Sequence, residues 1–552
     1  MARRRKKRSS PLPVLILFAA AALLTVGLVK LYPQMQESSA TADLNSYFGV
    51  SDGEAALVVN NEILDARGVV KDDDIYVDYD TVTKYFNDMF CWDKDSQQML
   101  LTLPKGTEIY KDGDGSLLLI DGKPYLSASC IKEDSDIDME VYDSPERIVA
   151  RTVWDNVPTE TVTQDTKLRT AEGKRSEILT SLSRGDTVIL TQNADKWCCV
   201  STSDGFTGYV EKESLESGGE LTHTSAPGFS YSKITMKGKV ILGWQYAESD
   251  SGASQLTQLT NGTGVNVVSP TWFRVTDRKG TVASIADSNY TALAHQAGIS
   301  VWGCYQDVND GDGISAGDYL SSYSTRQHII TQLMDAAESS GMDGINLDIE
   351  TITEETTPLY LQFIRELCEA AHKKNLIVSV DNYASVYTKY LNRAEQAKTA
   401  DYLVIMGYDE HTAGSTEAGS VSSLPFVEEA ITDLIGEGVD PSQIIEGIPF
   451  YSRGWTQAAG EEVPSSETLA MGDQQSWADM YGIHTDWDAK LGQYTGSSST
   501  EDGVTHSIWI EDDRSIEEKM KLIRQYDLAG VATWRLGLED SGVWSIIRKY
   551  ME

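Results

Sequence analysis

The sequence is poor in cysteine and in basic residues. Its six cysteines stand far apart except for the adjacent pair Cys198 and Cys199, so they have neither the spacing of a disulfide framework nor that of a zinc site. Lys and Arg number 46 against 84 Asp and Glu, which gives a formal net charge of −38. A field of that sign repels nucleic acid, so we expect no nucleic-acid partner. The seven histidines form no HExxH motif, and we predict neither a metal nor a cofactor.

Charged residues are also missing from Pro11 to Val29, directly after the segment MARRRKKR with its six positive charges. A helix over this stretch would span roughly 28 Å, close to the hydrocarbon thickness of a bilayer. The pattern predicts a transmembrane helix at 11–29, with residues 1–10 cytoplasmic and the rest of the chain outside the cell membrane. The alternative is a cleaved signal peptide, but the uncharged run is long for one and GLVKLYPQ offers no small-x-small cleavage site.

Two small β-rich regions follow a polar linker at 30–54. Residues 55–150 alternate between apolar and polar positions, with Asn-Asn, Asp-Gly and Lys-Gly turns, and contain no plausible catalytic set. This region resembles the amine-oxidase amino-terminal-like module, which serves as a stalk in bacterial surface proteins. The resemblance implies a stalk domain at 55–150.

The second β-rich region, 161–217, has regular strand and turn spacing. Its landmarks are Leu168 with Arg169, a Gly-Asp turn before a Val-Ile-Leu strand, Trp197, and the segment GFTGYV. With these landmarks it resembles a bacterial SH3-like domain. That resemblance implies cell-wall binding, although a spacer whose Trp197 and Tyr209 are core residues is equally compatible with the sequence.

From residue 236 to residue 552 the pattern changes to alternating strands and helices. Eight apolar runs are rich in β-branched and aromatic residues: VILGWQY, GVNVVSPTWF, ISVWGCY, DGINLDIE, LIVSVDNY, DYLVIMGYDE, QIIEGIPFY and GVATWRLG. Helical patterns lie between several of them. Eight buried parallel strands with crossover helices predict an α/β fold of the (β/α)8 TIM-barrel type, with an insertion at about 452–511.

One strand carries an unusual polar face. In DGINLDIE the side chains of Asn346, Asp348 and Glu350 share one face because strand side chains alternate. Burying two carboxylates and an amide side by side costs several kcal/mol unless a site uses them. The strand therefore marks a candidate active site at the carboxyl ends of the barrel strands.

This spacing resembles the DxxDxDxE signature of glycoside hydrolase family 18, with Asp343 as its first residue. The segment MGYDE resembles the Met-x-Tyr-Asp motif of that family at Tyr408 and Asp409, and Trp534 resembles the tryptophan that ends the last strand. The resemblance extends over roughly 310 residues from Val240.

The resemblance implies a substrate-assisted, retaining glycosidase in which the 2-acetamido group of the substrate is the nucleophile. Glu350 would be the acid, Asp348 would orient the acetamido group, and Tyr408 would donate a hydrogen bond to its oxygen. Trp534 would form an apolar floor under the sugar, and Asp409 would bind a hydroxyl. Asn346 and Asp343 complete the expected substrate-binding set.

Two departures from the family pattern bear on the substrate. Asn346 stands where many chitinases have aspartate, which removes a charge from beside Asp348. The third strand, ISVWGCYQD, lacks the Ser-x-Gly-Gly of many chitinases. These features are closer to the spore-cortex and peptidoglycan N-acetylglucosaminidase branch, so we expect peptidoglycan as the substrate. The alternatives are chitin or another N-acetylglucosamine glycan, and a wall-binding protein without turnover.

One further segment is rich in acidic residues. DVNDGDGISAGD, at 307–318, has the oxygen-rich composition of a calcium loop, but its spacing does not fit an EF-hand. A solvated acidic turn is the favoured interpretation.

Overall fold

The computed structural model describes residues 37–225, 228–248, 256, 262–307, 313–384 and 388–551. Residues 37–88 and 112–225 form one compact unit, and residues 89–111 form a second with the described residues from 228 onward. Among the described residues no helix is long and apolar enough to cross a membrane. The predicted transmembrane helix at 11–29 and the cytoplasmic segment 1–10 lie outside them.

The first unit contains a seven-stranded sheet with the short helices Leu44–Phe48, Tyr79–Tyr85 and Ala128–Glu133. The sheet is antiparallel except where its first and seventh strands in chain order pair in parallel. In chain order its strands are Glu54–Val59, Glu62–Lys71, Asp74–Asp78, Leu117–Ile120, Lys123–Ser127, Asp138–Tyr142 and Arg147–Arg151.

A second seven-stranded antiparallel sheet corresponds to the region predicted to resemble an SH3 domain. Its strands are Pro158–Val162, Thr166–Arg169, Ile178–Leu182, Thr187–Gln192, Trp197–Ser201, Thr207–Glu211 and Leu215–Glu220. The landmark residues Leu168 and Arg169 are buried. A Cβ at Gly208 would lie 2.4 Å from the carbonyl oxygen of Arg169, so the close approach of these two strands requires glycine.

The second unit is built on a closed parallel barrel, as the sequence predicted. Each strand pairs with its neighbours in parallel, and pairing of the second with the third closes the ring. The first to eighth barrel strands are Val240–Gln245, Val267–Pro270, Ser300–Gln306, Gly344–Asp348, Ile377–Tyr383, Tyr402–Met406, Ile444–Pro449 and Gly530–Trp534.

Helices cover the outside of the barrel. They are Ser288–Gln296, Ala316–Leu320, Tyr323–Ser340, Thr357–Lys373, Arg393–Thr399, Leu424–Gly436, Asp513–Gln525 and Val543–Met551. The alternation of side chains explains the packing. Ile345 and Leu347 of the fourth strand join the apolar cluster under these helices, whereas Asn346 and Asp348 lie on the opposite, inward face.

Additional β structure accompanies the barrel. Between the seventh and eighth strands lies a sheet of five strands: Tyr451–Gln457, Ser465–Ala470, Asp486–Asp488, Gln493–Ser499 and Thr505–Ile510. The helix Gln474–Met480 packs with this sheet, and a hairpin of Phe273–Val275 and Val282–Ser284 extends the barrel sheet.

A three-stranded sheet, Phe90–Asp93, Gln98–Leu103 and Gly106–Lys111, also belongs to the barrel unit. The sequence analysis placed these residues in the stalk domain at 55–150. They pack instead against the barrel helix Thr357–Lys373, where Gln362 donates a 2.8 Å hydrogen bond to Thr102. Met99, Leu100 and Leu101 are fully buried there, and this apolar run accounts for the attachment.

Candidate active site

A cavity of about 130 Å³ opens at the carboxyl ends of the barrel strands, where the active sites of this fold lie. It is lined by Trp244, Asp348, Glu350, Asp381, Tyr383, Met406, Tyr408, Asp409 and Trp534. These residues come from the first, fourth, fifth, sixth and eighth strands or directly follow them. The cavity therefore combines carboxylates with aromatic walls.

Glu350 stands at the mouth of the cavity, two residues beyond the end of the fourth strand. Its backbone N–H donates a 2.7 Å hydrogen bond to Oδ1 of Asp307, which directly follows the third strand. The other oxygen of Asp307 accepts hydrogen bonds from the hydroxyls of Tyr319, at 2.7 Å, and Thr351. Asp307 thus fixes the backbone from which Glu350 projects.

The carboxyl group of Glu350 is held by Tyr383, whose hydroxyl donates a hydrogen bond to Oε2. Glu350 is exposed as a whole residue, but its carboxyl end lies among the cavity walls, and this loss of water raises its pKa. The Tyr383 hydrogen bond opposes that rise, whereas the negative charges of Asp307 and Asp409 add to it. The net effect favours the protonated form, as a general acid requires.

Asn346 is fully buried below the cavity, and its side-chain amide has partners on both ends. Its oxygen accepts hydrogen bonds from the Trp244 indole at 2.8 Å and the Ser269 hydroxyl at 3.0 Å. Its nitrogen donates to Ser379 at 3.0 Å and to Asp381 at 2.6 Å. Four interactions fill the hydrogen-bonding capacity of the amide, so its orientation is set by the barrel.

Two buried carboxyl groups flank Asn346. Burial raises the pKa of Asp348 well above its usual range, and the nearby carboxylates of Asp381 and Glu350 raise it further. Burial likewise raises the pKa of Asp381, against the lowering effect of its hydrogen bond from Asn346. Each of the two groups therefore holds a proton more readily than an exposed aspartate does.

The sixth strand supplies Tyr408 and Asp409. Tyr408 is buried in the cavity wall, and burial raises the pKa of its phenol, so it remains a hydrogen-bond donor. Asp409 follows with a φ of 58°, a left-handed conformation that is uncommon for residues other than glycine. Its Oδ1 accepts a 2.6 Å hydrogen bond from Tyr451 and lies 3.8 Å from the guanidinium of Arg453.

Aromatic rings complete the cavity. Trp244 packs edge-on against Trp534, with ring centroids 6.0 Å apart, and against Tyr408 at 6.4 Å. Trp534 also borders a second groove of about 550 Å³ that includes Tyr246, Trp272 and Arg274. An apolar ring shared by two adjoining spaces suits the face of a sugar in an extended chain.

The structure brings together five of the seven residues predicted for the site: Glu350, Asp348, Tyr408, Asp409 and Trp534 line one cavity. Asn346 lies beneath them. Asp343 is not among them, because it precedes Asp348 by five residues, or roughly 16 Å of strand. Its carboxylate instead accepts 2.8 Å hydrogen bonds from His295 and from the backbone of Val301.

The acidic segment at 307–318 is described only in part, because residues 308–312 lie outside the described residues. The carboxylate of its first residue, Asp307, contributes to the site by accepting the hydrogen bond from the backbone of Glu350. Asp318, near its other end, forms a capping box with Ser315 and an ion pair with Arg278.

Sequence reasoning did not identify Asp381, Tyr383 or Tyr451 as functional residues. The first two alternate on the inward face of the fifth strand, in the run LIVSVDNY, just as Asn346 and Asp348 alternate on the fourth. That alternation, at the carboxyl end of a barrel strand, was a signal that could have found them.

Comparisons with known proteins agree with this geometry. Residues 311–539 match the family described as glycosyl hydrolases family 18, and residues 165–216 match the bacterial SH3 domain. The chain is 26% identical over 284 residues to the uncharacterized glycosylase YvbX of Bacillus subtilis, and the match covers 50% of this chain and 81% of that protein. It is 22% identical over 234 residues to the cortical fragment-lytic enzyme of Bacillus anthracis, covering 41% of this chain and only 54% of that protein.

A solved structure is also similar to the barrel unit. The chitinase of Chromobacterium violaceum matches with a TM-score of 0.50 and 25% identity, covering 56% of this chain and 98% of that one. The chain therefore contains regions that match the bacterial SH3 domain and glycosyl hydrolases family 18, and it is a glycosidase.

Proposed function

We propose that this glycosidase hydrolyses β-1,4 bonds next to N-acetylglucosamine by a retaining, substrate-assisted mechanism, and that its substrate is cell-surface peptidoglycan. The observation that carries the mechanism is the composition of the 130 Å³ cavity. A carboxyl group with a raised pKa, Glu350, stands at its mouth, with Asp348 and Tyr408 inside and Trp534 on the wall.

In the first step Glu350 gives its proton to the glycosidic oxygen as the bond from that oxygen to the anomeric carbon breaks. The carbonyl oxygen of the 2-acetamido group attacks the anomeric carbon, and an oxazolinium ion forms. Tyr408 donates a hydrogen bond to the acetamido oxygen, and Asp348 accepts one from the acetamido N–H. These contacts hold the acetamido group in position for attack.

In the second step the ionised Glu350 takes a proton from water as the water oxygen attacks the anomeric carbon and the oxazolinium opens. Two inversions at one carbon give net retention. Because Glu350 must begin protonated and end ionised, a pKa above the ordinary glutamate range suits both steps. Asp409 binds a hydroxyl group, and Trp534 packs under the sugar ring.

Two observations favour peptidoglycan as the substrate. Residues 165–216 match the bacterial SH3 domain, and the similar protein from Bacillus anthracis is named cortical fragment-lytic enzyme. In this proposal the SH3 domain binds the wall, and the β-rich region at 55–150, without residues 89–111, is an amine-oxidase-like stalk. Residues 11–29 anchor the chain in the cell membrane, with the basic segment cytoplasmic and the barrel outside.

The test is to incubate the purified full-length protein with peptidoglycan and, separately, with chitin oligomers, and to identify the products by mass spectrometry. Glu350→Gln is the inactive control. Asp335→Asn, a substitution at an exposed position outside the cavity, is the control for effects of substitution and purification. New N-acetylglucosamine reducing ends from peptidoglycan, absent with Glu350→Gln, support the proposal. Cleavage of chitin alone assigns another N-acetylglucosamine glycan. Wall binding without any cleavage favours a binding protein and contradicts turnover on these substrates.

A further inference from the structure

Asp381 lies beside Asp348 at the base of the cavity. The fourth and fifth strands pair in parallel, with Asn346 opposite Ser379 and Leu347 opposite Val380. The next residue on each strand is an aspartate. Asp348 follows Asn346 on the inward face, Asp381 follows Ser379, and both line the cavity. The barrel therefore presents two neighbouring carboxyl groups from adjacent strands.

Each of these aspartates has an oxygen without a hydrogen-bond partner. Oδ1 of Asp381 accepts the hydrogen bond from Asn346, but its Oδ2 and Oδ1 of Asp348 have no partner among the described residues. Both side chains are over nine-tenths buried. A buried carboxyl group without a partner is costly, and such an arrangement indicates a site that uses the groups.

Asn346 itself cannot exchange a proton with Asp348. Its amide is neutral throughout the working pH range and its four hydrogen bonds are already made. Two neighbouring buried carboxyl groups, by contrast, share a single proton, because both cannot be ionised at short distance. The fifth strand thus supplies the second carboxyl group that the amide at 346 removes from the fourth.

We propose that Asp381 is the proton partner of Asp348, holding the proton that Asp348 releases while the oxazolinium ion exists. This role rests on the proposed function, because it requires a substrate whose acetamido group becomes positively charged. It identifies Asp381 as a residue that acts through Asp348, and so as a positioning residue for the reaction.

No proton is gained or lost by the two aspartates in this step. Before reaction Asp348 and Asp381 together hold one proton, located on Asp348. As the acetamido oxygen bonds to the anomeric carbon, that proton moves to Asp381, and ionised Asp348 faces the positive oxazolinium. When water opens the ring, the proton returns to Asp348. The proton that reaches the leaving group comes from Glu350 alone, so no other reactant is needed.

Few of the surrounding groups titrate in the working range. The groups that interact electrostatically with Asp381 or Asp348 are Cys304 of the third strand, Asp307 after it, Glu350, Tyr360 of the helix Thr357–Lys373, Tyr383 and Tyr408. Burial raises the pKa of the thiol and of all three phenols, so these stay neutral. The pH dependence of the pair is therefore coupled mainly to the carboxyl groups of Glu350 and Asp307.

The experiment measures kcat and KM against pH for the full-length protein on a tetramer of N-acetylglucosamine. The variants are Asp381→Asn, the double variant Asp381→Asn with Asn346→Asp, and Asp335→Asn as an exposed control. We expect Asp381→Asn to lower kcat by at least about tenfold with little change in KM, and to alter the acidic limb of the profile. The double variant, which returns a carboxyl group to the neighbouring position, should recover part of kcat and the acidic limb.

An Asp381→Asn variant with the wild-type kcat and pH profile overturns the role, as does a double variant no more active than the single one. Thermal unfolding tests whether the variant folds, and its result should also depend on pH. Because the pKa of Asp381 is raised in the folded protein, the free-energy cost of ionising this carboxyl group there grows as pH rises. Asp381→Asn should therefore gain stability relative to wild type between pH 5 and pH 8. A wild-type protein that cleaves no glycan overturns the proposed function and this role together, whereas an active wild type with an unaffected Asp381→Asn overturns this role alone.

Discussion

The side-chain amide of Asn346 donates a 2.6 Å hydrogen bond to the carboxyl group of Asp381 across two adjacent barrel strands. An aspartate at 346 would place two carboxyl groups at this distance, both fully removed from water. Asparagine at 346 and aspartate at 381 are therefore a matched pair, and the departure from the family motif on the fourth strand is understood only with the fifth.

The first prediction concerns this pair. Asn346→Asp should destabilise the protein increasingly as pH rises, because a carboxyl group beside Asp381 must keep its proton in the folded state. The folded pKa lies above the unfolded one, so stability present at low pH is lost on going to higher pH, by about 1 to 3 kcal/mol. Thermal unfolding of wild type and Asn346→Asp at pH 5 and pH 8 measures this loss of stability. A loss of stability of the same size at both pH values would contradict the pairing.

The second prediction concerns the hydrogen bond from Tyr383 to Glu350. The hydroxyl stabilises the ionised carboxylate, so Tyr383→Phe should raise the pKa of Glu350. Since Glu350 must start protonated, the alkaline limb of the kcat profile should move to higher pH, by up to about one unit. Tyr526→Phe removes a similar hydrogen bond, to Glu428, outside the cavity and serves as the control. An unmoved or lowered limb would exclude this role for Tyr383.

The third prediction has the opposite sign. The negative charge of Asp307 raises the pKa of Glu350, so Asp307→Asn should move the alkaline limb to lower pH. The amide oxygen can still accept the hydrogen bond from the Glu350 backbone, which separates the charge effect from loss of position. Asp307→Ala removes both, and we expect an additional fall in kcat of at least about tenfold. The pH profiles of the two variants decide the matter; a limb shifted upward by Asp307→Asn would refute it.

A fourth prediction concerns stability. Arg326 and Glu366 form a fully buried ion pair at 2.9 Å between two barrel helices, and Gln362 and Gln327 also donate to Glu366. Glu366→Ala leaves the guanidinium buried without its charge partner and should lower the free energy of unfolding by about 3 to 5 kcal/mol. Lys374→Ala, in the exposed pair with Glu338, should change it by less than about 1 kcal/mol. Denaturant unfolding of both variants provides the comparison, and similar losses would contradict it.

The barrel and much of its site could be predicted from sequence because the signals are local. Buried strands produce apolar runs, and alternation alone separates the inward Asn346 and Asp348 from the outward Ile345 and Leu347. Those rules depend on neighbours within one strand, so the sequence predicted all eight barrel strands and five of the residues that line the cavity.

The remaining features depend on contacts between segments distant in sequence. That Asp381 receives a hydrogen bond from Asn346 follows from the register of two strands 35 residues apart, which no single segment encodes. Asp307 lay in an acid-rich run whose composition favoured a solvated turn, yet its carboxylate is buried against the Glu350 backbone. The apolar run Met99–Leu101 was predicted to belong to a local β-rich domain. It packs instead against the helix Thr357–Lys373, which begins more than 250 residues later.

The most direct test of the central claim is the anomeric configuration of the first product. Proton NMR of fresh digests of an N-acetylglucosamine oligomer, recorded faster than mutarotation, distinguishes the two anomers. Substrate-assisted cleavage with Glu350 as acid predicts that the β anomer accumulates first and that Glu350→Gln yields none. Initial release of the α anomer would contradict it, because inversion requires direct attack by water rather than by the acetamido group.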